Sequence, residues 1–297
     1  MIFGSRIRNI VEQERTFALF LVLPSLLVLL LATTFPIAYL IWSSFQHINL
    51  SMPWKDGFAG IENYIEMFQD KQYWKSLRLT FIYTTSTVFL QIIIGLGLAL
   101  IVLQIPRAQW IFRLMAILPI VLAPVVVGLF WRTLMLTPDF GIVDFFTKSI
   151  GLGSHAWLSE PKLAVISVIV IHTWQWAPFA FLILLASLAS LPPDLFEAAK
   201  IDRASAIKRF FYITLPLIRP AIVIIIIIRS MIALSAYAAI YAATRGGPGT
   251  ATEILNLYAY RTSFLEVNFG YGSTLAVFIL VITIFVAGIL YSIRTNT

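Results

Sequence analysis

Pro192-Pro193-Asp194-Leu195-Phe196-Glu197-Ala198-Ala199-Lys200-Ile201-Asp202-Arg203-Ala204-Ser205-Ala206-Ile207-Lys208-Arg209-Phe210-Phe211-Tyr212-Ile213-Thr214-Leu215-Pro216 lies between two long apolar runs. Pro-Pro-Asp predicts a helix start, because proline presets the first helical φ and Asp194 can cap. Leu195 to Lys200 is a run of strong helix formers. From about 204 to 213 a second helical piece sets Ile207, Phe210, Phe211 and Ile213 on one side and Lys208 and Arg209 on the other. Pro216 and Pro220 then restart the chain at the next apolar run. Two short helices that present aromatics and mixed charge read either as a docking surface or as a solvated connection, and composition alone leaves both open.

The flanking runs decide the class. Of 297 residues, 60% are hydrophobic and only 12% charged, with mean hydropathy +0.90. A soluble domain carries about a quarter charged residues. Six apolar segments stand out at about 17–43, 80–103, 113–135, 163–187, 217–243 and 271–293, each meeting the roughly 20 residues a helix needs to cross a bilayer. They are continuous rather than alternating, which predicts helices and not a barrel. The expected fold is therefore all-α: a polytopic membrane protein of six transmembrane helices in a single domain, 1–297. The first segment is too long for a signal-peptide core and no small-residue cleavage site follows it, so it reads as a retained helix, with Pro24 and Pro36 as possible kinks.

The chain has no cysteine and three scattered histidines, so no metal site is expected and thiol chemistry is excluded. A net charge of +7 would suggest nucleic acid in a soluble protein, but here the bases sit between spans and report topology, with no nucleic-acid partner expected. Loops on the side of 192–216 and the termini carry 11 bases against 5 acids, and the opposite loops 9 against 9. The positive-inside rule makes the first side cytoplasmic, both termini included. On the outer side, 45–79 repeats Ile61, Tyr64, Ile65, Phe68 and Trp74 among charges, which predicts amphipathic helix at the membrane surface.

The spacing inside the cytoplasmic stretch resolves its reading. Glu197-Ala198-Ala199, followed at matching distance by Ile213-x-Leu215-Pro216, resembles the EAA loop of bacterial ABC importer permeases. Gly60-Ile61-Glu62-Asn63-Tyr64, Leu118-Pro119, Arg245-Gly246-Gly247-Pro248-Gly249 and Phe269-Gly270-Tyr271-Gly272 resemble signatures of the sugar-importing, maltose/glycerol-phosphate branch, covering roughly 50–290. The resemblance implies a type I ABC importer permease fold. It also implies the partners: a second homologous permease, an ATPase dimer gripping the 192–216 lever, a periplasmic solute-binding protein, and lipid of the bacterial inner membrane. Glu197, Ala198, Ala199, Asp202, Arg203 and Ala204 are the implied ATPase-coupling residues, Glu197 pairing with a base of the ATPase. Relatives usually have Gly where Arg203 stands, so either the turn is remodelled or docking shifts. The chain has no Gly-x-x-x-x-Gly-Lys-Ser/Thr loop, so ATP and Mg belong to the partner, and no catalytic residue or cofactor is expected here.

Polar residues inside the spans mark the solute path. Arg229 sits mid-span, where a charge is costly and by default faces a cavity or a partner. His172, Gln175 and Trp176 share one helical face beside Pro178, offering hydrogen bonds and a ring for sugar stacking. Counting from Glu197, the resemblance places sugar contacts on His172, Gln175, Trp176, Arg229, Ala233 and Ala236. Tyr237, Tyr241, Trp131 and Arg132 are further candidates, the last two with interface anchoring as the competing role. A base where relatives have a neutral polar residue suggests an anionic sugar, phosphorylated, sulfonated or carboxylated. The alternative is a neutral oligosaccharide or polyol with Arg229 structural. An ion-coupled secondary transporter needs membrane carboxylates, and no Asp or Glu lies in any of the six segments.

Overall fold

The computed structural model describes residues 2–295, and every long element among them is helical. The helices are α1 Ile2–Ser44, α2 Glu62–Gln69, α3 Lys71–Leu103, α4 Gln109–Val121, α5 Pro124–Phe130, α6 Ile142–Ser149, α7 Pro161–Ala189, α8 Pro193–Ile201, α9 Ala206–Arg209, α10 Leu215–Leu234, α11 Ala238–Thr244, α12 Leu255–Tyr260 and α13 Phe269–Thr295. Strands β1 Gln46–His47 and β2 Gly57–Phe58 pair antiparallel. Among the described residues, five helices are long and apolar enough to cross a bilayer, and the bent α4–α5 pair makes a sixth.

Helices α3 and α7 form the central pair. They approach closely because Gly95 faces Ala180 and Phe181: a Cβ at Gly95 would lie 2.7 Å from the Phe181 amide nitrogen. Small residues at such a crossing let backbones meet where lipid offers no hydrophobic drive. Gly128 of α5 does the same against α11, where a Cβ would stand 2.4 Å from the Ala239 carbonyl oxygen. Helix α1 packs chiefly on α13 and leaves Phe20, Val28, Leu31 and Phe35 exposed, a surface suited to lipid. Pro24 and Pro36 lie within its uninterrupted helix.

Three expectations change. The apolar segment at 113–135 is not one rod: α4 and α5 meet at a 96° bend. Pro124 opens α5 and forces Ala123 into extended backbone, with ψ 135°. The segment at 217–243 shifts toward the 192–216 stretch. One helix runs from Ala206 to Leu234, then breaks at Ser235–Tyr237 before α11. Pro216 and Pro220 do not restart the chain. A π-turn at Phe210–Thr214 precedes Pro216, with the Leu215 N–H donating to the Phe210 carbonyl, and carries the helix over the proline. The third change is at 45–79, where the amphipathic helix is only α2; α3 already begins at Lys71.

Asp70 explains that early start. Its carboxylate caps α3 by accepting from the Gln72 N–H at 2.7 Å. Its other oxygen accepts from Tyr258 at 2.5 Å and Tyr271 at 2.9 Å, binding α3 to α12 and α13. Burial works to raise its pKa, but these hydrogen bonds outweigh it and the carboxyl sits below its ordinary value. Residues 46–79 and 245–268 thus gather at one end of the bundle, with 192–205 at the other.

Candidate functional site

The two helix breaks face each other across a cavity of about 530 Å³. Pro124 borders it from the α4–α5 bend, and Ser235, Ala236 and Tyr237 from the α10–α11 break. His172, Gln175 and Trp176 of α7 form another wall. An open break leaves carbonyls without helical partners, which is costly inside a membrane. Both breaks are closed by a side-chain amide. Gln175 Nε2 donates to the Leu122 carbonyl at 3.0 Å, and Asn256 Nδ2 donates to the Ser235 carbonyl at 2.9 Å.

Arg229 lies behind this wall, not in it. Its side chain is fully buried and does not line the cavity. Nε donates to Gln91 Oε1 of α3 at 2.9 Å, and Nη2 stands 3.0 Å from His172 Nε2. The guanidinium stacks on the Trp176 ring at 4.2 Å. A guanidinium can only donate, so His172 Nε2 must accept. That fixes the neutral imidazole with its proton on Nδ1, the one polar atom His172 has left for the cavity. Tyr83 packs on the imidazole at 5.3 Å between centroids and holds the ring in place. Arg229 Nη1 and Gln91 Nε2 donate to no protein atom. Among the described residues, no carboxylate is paired with this cation.

Five sequence-designated positions therefore share one cavity: His172, Gln175, Trp176, Ala236 and Tyr237. Ala233 does not. It is fully buried in packing among Tyr83, Val168 and Ile240. Tyr241 stacks on Tyr237 at 5.4 Å, and Tyr260 lies 4.8 Å from Tyr237. Gln91 and Tyr83 escaped the sequence reading, although a lone amide in Val88-Phe89-Leu90-Gln91-Ile92 is the same signal that singled out Arg229.

At the far end, α8 starts at Pro193 with Pro192 as its cap residue. Asp194 lies in the first turn but makes no capping hydrogen bond. Glu197, Ala198, Asp202 and Arg203 are exposed, Ala204 is half-buried and Ala199 is buried. The α8 turn is not remodelled. Arg203 adopts φ +54°, its N–H donating to the Lys200 carbonyl and the Ala204 N–H to the Ala199 carbonyl. This is the Schellman ending that glycine normally supplies. Ile201, Ile207 and Tyr212 beside it are 82%, 72% and 80% exposed.

Residues 91–294 match the family model described as the binding-protein-dependent transport system inner membrane component. The chain is 34% identical to the sulfoquinovosyl glycerol transport system permease protein of Agrobacterium fabrum, over 95% of this chain and 92% of that one. It is 31% identical to the trehalose/maltose transport system permease protein of Thermococcus litoralis, over 91% and 92%. In fold it is similar to a chain of a bacterial ABC transporter that imports the acidic polysaccharide alginate, with TM-score 0.81, 20% identity and coverage of 98% and 99%.

Proposed function

The chain belongs to the inner membrane components of binding-protein-dependent transport systems, as an ABC importer permease of the carbohydrate-uptake branch, and we propose that the sugar it passes carries a negative charge. The observation that supports this reading is Arg229. It is a buried cation with no carboxylate partner among the described residues, separated from the cavity by one aromatic ring. In a low-dielectric span such a charge acts at a distance, without contact. Sulfoquinovosyl glycerol, named for the relative from Agrobacterium fabrum, is itself an anionic sugar derivative.

In this reading the cavity walls divide the work. Trp176 and Tyr237 offer ring faces to the sugar and His172 donates from Nδ1, while Gln175 braces the wall through the Leu122 carbonyl. The periplasmic binding protein supplies the sugar, and a second permease closes the cavity from its open side. ATP and Mg bind in the partner ATPase dimer. Both termini and 192–216 are cytoplasmic. Glu197 pairs with a base of the ATPase, and the exposed Ile201, Ile207 and Tyr212 fill its groove. The helix Ala206–Leu234 spans 29 residues without interruption from the coupling end to the cavity. It is the rod along which ATPase closure reaches the solute.

The test is uptake by the assembled transporter, with its binding protein, of an acidic sugar and its neutral isostere. Preference for the acidic sugar that collapses in Arg229→Met supports the reading. Full burial of Arg229 favours the alternative of a neutral sugar with Arg229 as a clamp, and there the wild type would transport only the neutral compound.

A further inference from the structure

A second cavity, of about 370 Å³, lies at the opposite end of α11 from the first. Helix α11 has seven residues: Ala239 and Ile240 border the inner cavity, and Ala243, Thr244 and Arg245 border the second. At 1.5 Å per residue the two are about 8 Å apart along the helix. Arg132 and Arg245 both face this outer space, and none of the described residues lining it is acidic.

The two guanidiniums are free. Among the described residues, neither takes part in a hydrogen bond, an ion pair or a ring contact, although both are exposed. The acids nearby in sequence are committed elsewhere. Asp139 pairs with Lys148, and Glu253 pairs with Arg261 at 3.0 Å. Asp144 accepts from Ser154, Trp157 and the N–H groups of Asp139 and His155. Glu160 lies next to Ser159 in the chain but is not part of the wall.

The walls are held firmly by hydrogen bonds. Arg245 is fixed at φ +54° with its N–H donating to the Tyr241 carbonyl. Thr244 and Thr252 hydroxyls meet at 2.6 Å, and Thr252 donates to the Gly247 carbonyl at 2.9 Å. Arg132 leaves a π-turn, Trp131–Met135, whose end is tied by Thr137 to the Arg132 carbonyl at 3.0 Å. Two unpaired planar cations on rigid backbone, with Ser159 alongside, form a site for an oxyanion.

We propose that this outer cavity is a separate binding site for the carboxylate, sulfonate or phosphate of the solute, occupied before the inner cavity, with Arg132 and Arg245 as its ligands. The inference rests on the anionic reading of the solute. The short spacing along α11 makes the two sites successive stations: free cations hold the anion outside, and the buried charge of Arg229 draws it in.

This chain has no cysteine, so Ala156→Cys, on the cavity wall, places a fluorophore at one defined point. The complete transporter in nanodiscs, so labelled, is titrated with glucuronate and with glucose. A saturable response to glucuronate alone is expected, weakened roughly two- to thirtyfold when Arg132→Gln and Arg245→Gln are combined, as loss of two exposed charge contacts implies. The double Arg→Lys variant keeps the charge and should retain most of the response. No saturable glucuronate response, an equal response to glucose, or a double Gln variant that binds glucuronate normally but loses affinity for the binding protein would overturn the site. Uptake by the unmodified transporter is measured alongside. If it carries only neutral sugars while the fluorophore still reports glucuronate, the anionic reading fails: the cavity binds an anion, but its place as a station on the solute path is overturned.

Discussion

Replacing Arg229 with methionine removes a charge while keeping a chain of similar length. Its effect on transport follows from the geometry. The guanidinium carbon lies 4.2 Å from the Trp176 ring centre. An atom in contact with the opposite ring face adds about 3.5–4 Å, so a bound oxyanion sits roughly 8 Å away. At an effective dielectric of about 20, two unit charges at that distance attract by about 2 kcal/mol, or roughly thirtyfold in affinity. Wild-type transporter in proteoliposomes should therefore favour an acidic sugar over its neutral isostere by about that factor, and Arg229→Met should erase it. Stability should move less than the loss of three contacts suggests. Gln91 Oε1 and His172 Nε2 lose their donor, at about 1–3 kcal/mol each, but the cost of burying the cation disappears with it. Adding Gln91→Leu to Arg229→Met should recover part of any loss, since one stranded acceptor goes too. Unchanged discrimination in a folded, assembled Arg229→Met transporter would refute the electrostatic reasoning.

Glu197→Gln should leave thermal stability within about 0.5 kcal/mol, because the residue is exposed, yet uncouple ATP hydrolysis from uptake; intact coupling would sink its assignment to the ATPase interface. Arg203→Gly should stabilise the α8 turn by up to about 1 kcal/mol, since the left-handed φ of +54° disfavours a side chain, and hydrogen exchange at Ala204 should slow. Gln175→Leu strands the Leu122 carbonyl at the α4–α5 bend, so a loss of about 1–3 kcal/mol in unfolding is expected, against little change for an exposed control such as Phe140→Leu. Asp144, held well below the usual carboxylate range by the His155 N–H and then by Ser154, Asp139 and Trp157, contributes stability that is fully present above the ordinary carboxylate pKa and fades as pH falls from there through its lowered value. Limited proteolysis of the 139–157 loop should accordingly stay slow down to pH 4 in the wild type and be fast throughout in Asp144→Asn.

Much of the molecule was legible in the sequence, and what was not has a common cause. Apolar length alone indicated the number of crossings, five long helices and the bent α4–α5 pair among the described residues, and the exclusion of charge from lipid pointed to Arg229, His172 and Gln175. Neither rule says which proline breaks a helix. Pro119, Pro178 and Pro220 all lie inside continuous helices, while Pro124 stands at a 96° bend. The difference is tertiary: Gln175, from another helix, supplies the donor the Leu122 carbonyl needs, and Gly128 lets α5 turn aside to pack on α11. Asn256 does for the α10–α11 break what Gln175 does for the first. A residue designated for solute binding thus closes the bend that borders the cavity. The same logic separates Arg229 from a direct ligand. Counting from Glu197 puts it among the positions that the family resemblance implies for sugar contact, but only the pairing with Gln91, a residue 138 positions earlier, shows that its charge is turned away from the cavity.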